Sequence, residues 1–225
     1  MPWGDFLRGF ISFANCGEFT KKILAAAIAG VGLIGSNPGL AETRASLPPI
    51  TLAAVTSDPA RPTVAWEEFC HRLPSECGID PSEASTITLS PQVWTTILEV
   101  NTRVNQTIEA VTDFDHWGVV DRWDYPADGR GDCEDIQLLK RKLLTEAGLP
   151  HRALRMTVVI DELGEGHAVL MARTDRGDFV LDNKRNAVLP WQQTGYYYIK
   201  RESSDQAGWV SFKGEDVPVV ITATR

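Results

Sequence analysis

A chain of 225 residues, 43% hydrophobic and 23% charged, is long enough for one folded domain with appendages and apolar enough to bury a core. Its 30 acidic residues outnumber 22 basic ones, for a formal net charge of −8. That balance argues against nucleic acid or an anionic membrane surface as the main partner.

Near the N-terminus Lys21 and Lys22 precede an uncharged apolar run from Ile23 to Ile34, and Gly39-Leu40-Ala41 follows with small residues where a signal peptidase inspects the chain. Residues 1–41 therefore read as an export signal, and the mature protein as periplasmic or secreted. The alternative is an uncleaved anchor, against which the run is short, since a membrane span takes about 20 apolar residues. Residues 42–62 carry Pro48, Pro49, Pro59 and Pro62 without periodicity, which suits a flexible linker or extended arm. Residues 63–225 remain as the folded domain. Export directs the reading of the cysteines. Cys16 falls in the signal, and Cys70 and Cys77 bracket a short loop containing Pro74. In an oxidising compartment this pair reads as a disulfide. A zinc site at Cys70, His71 and Cys77 is the alternative, and it lacks a nearby fourth ligand. Pairing Cys70 with Cys77 leaves Cys133 as the odd thiol, which in an exported protein is either partner-seeking or reactive.

Ser90-Pro91 has the form of an N-cap and first-turn proline. From there Val93, Trp94, Ile97, Val100, Val104, Ile108 and Val111 recur at helical spacing, predicting one amphipathic helix over 91–112. A loop from Asp113 to Gly131 follows, and Trp117, Trp123 and Trp191 are candidates for either a substrate groove or the core. A second helix should begin near Asp132, with Ile136, Leu139, Leu143 and Leu144 as its stripe, and stop at Gly148-Leu149-Pro150. The period then changes to two. Segments 153–160, 167–172, 178–181, 196–200 and 209–212 read as strands. Helices first and an antiparallel sheet second make an α+β fold.

Cys133 falls at the start of the second helix, where the macrodipole and unpaired N–H groups favour a thiolate and can stabilise an oxyanion. The turn Thr174-Asp175-Arg176-Gly177 folds the strands around it into a hairpin, which brings His167 and Asp182 within a residue or two of being opposite. A cysteine, a histidine and an aspartate so placed are a nucleophile, its base and the group that orients the base. Each has a plainer reading as core thiol, packed strand residue or turn aspartate.

The stretches Trp123-Asp124-Tyr125-Pro126, Gly131-Asp132-Cys133-Glu134-Asp135, Lys140, His167-Ala168-Val169-Leu170 and Val180-Leu181-Asp182-Asn183 resemble the bacterial transglutaminase-like cysteine peptidases of the LapG type, over about residues 66–212. The resemblance implies a papain/transglutaminase-like fold, with the catalytic cysteine at a helix N-terminus packed on an antiparallel sheet. It implies a Cys133-His167-Asp182 triad and cleavage of a large surface adhesin that releases cells from a biofilm. It also implies calcium bound by the acidic residues beside the cysteine, and an inner-membrane cyclic-di-GMP receptor as sequestering partner. The residues themselves speak to calcium in part. Asp132, Glu134 and Asp135, with Asp124 and Asp128 upstream, offer the hard oxygen ligands that Ca²⁺ takes. The run from Asp124 echoes an EF-hand, but Pro126 stands at its third position and Asp135 where the closing Glu belongs. The alternative is that Asp132 caps the helix while Glu134 and Asp135 complement its dipole. Water or an amine can resolve the acyl-thioenzyme, so a transamidase or amidase stands beside the peptidase, and a non-catalytic binding module is the reading from another class.

Overall fold

Three helices carry the apolar stripes of the chain to one face of a sheet. The computed structural model describes residues 45–213, and the expected export signal at 1–41 lies outside them. Thr63 accepts from the Trp66 N–H to start α1 (Val64–Arg72), which buries Ala65, Trp66 and Phe69. Ser90 accepts from the Val93 N–H and Pro91 opens α2 (Pro91–Thr107), whose buried side is Trp94, Ile97, Val100, Asn101 and Val104. This helix ends five residues short of the expected 112. Ile108 turns extended, and β2 (Glu109–Ala110) pairs in parallel with β3 (Arg130–Gly131). Thr112 then caps the short α3 (Asp113–Trp117). The third long helix, α4 (Cys133–Glu146), is closed by Gly148 at φ +91°, a left-handed position that favours glycine.

The expected strands appear as β4 (Leu154–Ile160), β5 (Gly166–Thr174), β6 (Gly177–Leu181), β8 (Tyr197–Glu202) and β9 (Trp209–Phe212), joined by β7 (Leu189–Pro190). At the far edge is β1 (Thr56–Ala60), formed from the Pro-rich stretch read as linker or arm. It pairs antiparallel with β9. The seven-stranded order is β1-β9-β8-β4-β5-β6-β7, antiparallel at every neighbouring pair. One sheet face packs Met156, Val158, Ala168, Leu170 and Leu181 against α2 and α4. The other gathers Val159, Val169, Met171, Val180, Tyr196 and Tyr198 beneath Ala54 of the N-terminal arm. Glu202 ties the layers together. Its buried carboxylate accepts from Trp66 Nε1 at 2.8 Å, Arg141 Nη1 at 2.8 Å and the Met156 N–H at 3.0 Å. This ion pair anchors α4 to the sheet and so fixes where the helix begins. The Cys70–Cys77 disulfide forms as expected, tying the last turn of α1 to the segment that follows it, which removes both thiolates from the zinc alternative.

Candidate functional site

Cys133 is the first residue of α4 and is fully buried. Its Sγ accepts the Ala168 N–H at 3.3 Å, which sets the sulfur against the backbone of the residue after His167. Glu134 Oε2 lies 3.1 Å from the sulfur. One expectation is corrected: among the described residues no cysteine is a free thiol, and Cys133 is held as a disulfide. Thiol chemistry at this position belongs to the reduced side chain.

In the β5–β6 hairpin Leu170 is opposite Leu181 and Thr174 opposite Gly177. Continuing that register by one residue sets Asp182 against Val169, so His167 is its diagonal neighbour on the same face, within reach of a side-chain pair. His167 Nε2 meets Asp182 Oδ1 at 2.9 Å, with both side chains buried. The other carboxylate oxygen accepts from the Tyr196 hydroxyl at 2.6 Å. Burial works against a charge on Asp182. Hydrogen bonds from His167, Tyr196 and the Lys184 N–H, with the His167 charge, outweigh it and hold the carboxyl well below the usual range. Asn105 of α2 donates to the Asp182 carbonyl at 2.9 Å, and Gln137 of α4 to Asn183 at 3.2 Å. Both helices thus hold the loop after β6 in place. A cavity of about 400 Å³ lined by Asn105, Ile108, Glu109, Ile136 and Asn183 opens beside that loop.

The acidic neighbours of Cys133 do not behave as helix caps. Asp132 occupies the N-cap position, yet its side chain makes no capping hydrogen bond. Two aspartates that sequence reasoning passed over complete the picture. Ligand oxygens of Asp113, Asp132 and Asp135 lie within 4.8 Å of one another, as do those of Asp113, Asp121 and Glu134. Asp113 begins α3 and Asp121 lies in the loop between α3 and β3, so the β2–β3 pairing and α3 carry both to the start of α4. The two upstream aspartates singled out in the sequence point elsewhere. Asp124 pairs with Arg122 at 3.0 Å, and Asp128 with His116 at 2.8 Å. No EF-hand loop forms.

Every carboxyl of the cluster is pushed up, first by burial. Asp121 reaches about 6, Asp132 about 8 with the charge of Asp113 adding to burial, and Asp135 about 9 with the charge of Asp132 adding to it. Glu134 rises well above the usual range and Asp113 rises as well. Asp113 Oδ1, Asp121 Oδ1, Asp132 Oδ1 and Glu134 Oε1 are buried with no hydrogen-bond partner. Buried acceptors left unpaired in a native fold call for an ion or water. Converging carboxylate oxygens are the donor set of a hard divalent cation, so the residues present fit calcium. The missed signal was the order of elements. Asp113 and Asp121 are distant in sequence from Cys133, and only the short parallel pairing of β2 with β3 brings them back. Of the three tryptophans, Trp123 is buried against Trp209, Trp191 packs on Tyr198 at the opposite sheet face, and Trp117 is exposed.

The family model described as bacterial transglutaminase-like cysteine proteinase BTLCP matches residues 55–217. Among solved structures, the chain is similar to calcium-bound Legionella pneumophila LapG, with 23% identity and a TM-score of 0.45 over 57% of this chain and 74% of that one. Legionella pneumophila LapG and its EGTA-treated form each match at 26% identity and a TM-score of 0.43, over 50% of this chain and 64% of theirs. The curated proteins contain no match.

Proposed function

Because the chain belongs to the bacterial transglutaminase-like cysteine proteinases, a family of cysteine peptidases, we propose that Cys133, His167 and Asp182 are its nucleophile, base and orienting carboxylate. The observation that carries this is the buried His167–Asp182 pair at 2.9 Å, beside a cysteine that opens a helix. With Nε2 committed to Asp182, Nδ1 of His167 is the nitrogen that takes the thiol proton. The Cys133 sulfur then attacks the scissile carbonyl, and the unpaired N–H groups at the start of α4 stabilise the oxyanion. The imidazolium returns its proton to the leaving amine, and water releases the acyl-enzyme.

We further propose that Asp113, Asp121, Asp132, Glu134 and Asp135 hold a calcium ion. The cation would supply positive charge beside α4 and let these carboxyls ionise together. Export to the periplasm is supported by the charged-then-apolar N-terminal pattern and agrees with the Cys70–Cys77 disulfide. A large surface adhesin as substrate, and a cyclic-di-GMP receptor as sequestering partner, are proposed from the family resemblance alone. The test is cleavage of candidate exported adhesins by reduced protein, with and without calcium. Cys133→Ala, His167→Ala and Asp182→Ala should each lose cleavage, and Cys133→Ala, which breaks no buried ion pair, should do so at a melting temperature close to that of the reduced wild type. Undiminished cleavage by Cys133→Ala would sink the triad. Amine incorporation without peptide cleavage would move the reaction to transamidation.

A further inference from the structure

Asp182 has two carboxylate oxygens, and His167 accounts for only one. The second, Oδ2, lies 2.6 Å from the hydroxyl of Tyr196 and 3.4 Å from Nε of Arg185. Tyr196 is 8% exposed, and its ring stands edge to face against the His167 imidazole, with centroids 5.7 Å apart and planes at 83°. One side chain therefore touches both partners of the buried pair. Arg185 fixes the direction of its hydrogen bond. The guanidinium donates to the phenol oxygen at 2.9 Å and stacks over the ring at 5.1 Å. A guanidinium accepts nothing, so the phenol hydrogen is directed to Asp182. Burial first, and then the Asp182 charge, push the phenol up, which keeps it a donor. The residue is itself anchored, because Thr194 Oγ accepts the Tyr196 N–H at 3.2 Å.

We propose that Tyr196 is a positioning residue of this site, fixing the carboxylate plane of Asp182 and the ring plane of His167 together. The inference rests on the triad reading above. The terminal torsion of an aspartate is broad and roughly two-fold. A carboxylate held through one oxygen swings about that contact, whereas one held through both does not. The imidazole is subject to the same argument, since its hydrogen bond to Oδ1 fixes one end of the ring and the Tyr196 edge limits its tilt.

The experiment compares Tyr196→Phe and Tyr196→Leu with wild type in the full-length, reduced, calcium-loaded protein. Removing the hydroxyl alone should lower kcat about tenfold with KM nearly unchanged, the range for losing an orienting partner of a reacting group. The downfield proton resonance of the His167 ring N–H that faces Asp182 should shift or broaden, while the melting temperature stays close to wild type. Tyr196→Leu, which also loses the ring edge, should fall further in kcat. Wild-type kcat and an unmoved resonance in Tyr196→Phe would overturn the proposal. So would a loss of activity that tracks a loss of fold with the resonance unmoved, because that is a structural role only. Cys133→Ala in the same assay separates the two readings. If it is inactive while Tyr196→Phe is fully active, only the positioning role fails. If Cys133→Ala still cleaves, the triad fails and the positioning role falls with it.

Discussion

At the scale of single residues, the site is surrounded by polar groups whose burial decides their charge. Lys140 lies two helical turns beyond Cys133 on the same side of α4, is fully buried, and its Nζ has no hydrogen-bond partner. Burial pulls its pKa down to about 7, with the charge of Asp182 opposing. The unfolded amine titrates near 10.4, so the folded protein is the poorer proton binder. The penalty is full below about pH 7 and fades as pH rises towards the unfolded value. Lys140→Met should therefore raise stability at pH 7 by about 1–3 kcal/mol, the usual cost of burying an uncompensated polar group. It should also flatten the rise in stability between neutral and alkaline pH. Denaturant melts of the two proteins at pH 7 and pH 10 measure both. A Lys140→Met protein less stable than wild type at pH 7 would mean that the amine makes a favourable interaction in the fold.

At the scale of elements, the acidic cluster depends on how closely β3 approaches α4. A Cβ placed on Gly131 would come within 2.8 Å of both Cβ and Oδ2 of Asp135, and 3.2 Å from Cβ of Pro126. Gly131→Ala must therefore displace the Asp135 carboxyl. Calcium affinity should weaken by about tenfold or more, a usual loss when the support of a ligand is disturbed. Calcium titration followed by melting temperature reads it, and an unchanged affinity would place Asp135 outside the site. The same junction shows why the sequence was legible in some places and not in others. The hairpin holding His167 and Asp182 could be counted from its turn, because strand register is local there. The start of α4 could be read from Gly131-Asp132 and the apolar stripe that follows. The end of α2 could not, because Ile108 and Val111 continue the helical spacing while β2 draws them out to pair with residues 130–131. Asp113 and Asp121 were missed for the same reason. Asp124 and Asp128 were nearer in sequence and of the same chemistry, but their carboxylates are taken by Arg122 and His116. Tyr196 gave no signal beyond a place at the start of a strand, since its partner is set by the pairing of β8 with β4.

At the scale of the whole molecule, the cluster makes stability depend on pH and on cation together. The folded pKa values of Asp121, Asp132 and Asp135, about 6, 8 and 9, exceed the unfolded value of about 3.9. A group raised in this way contributes stability that is fully present below its unfolded pKa and is lost as pH rises through its folded pKa. Glu134 and Asp113 shift in the same direction. Asp182 shifts the other way, but its contribution is lost only as pH falls below the usual carboxylate range. Lys140 opposes the cluster above pH 7, and His151, which burial first of all pulls down to about 3, opposes it up to its unfolded value of about 6.5, yet the five raised carboxyls outnumber the two. In chelator, the melting temperature should therefore fall as pH rises from 5 to 8. Saturating calcium should restore it at pH 8 far more than at pH 5, because the cation binds ionised carboxylates and must displace protons at the lower pH. A thermal melt series at pH 5, 6, 7 and 8, in EGTA and in calcium, gives the whole surface. Asp132→Asn combined with Asp135→Asn should flatten the chelator series and abolish the calcium response. If the EGTA series is flat in the unsubstituted protein, the five carboxyls are not the coupled, repelling set that their burial makes them, and the calcium proposal falls with that result.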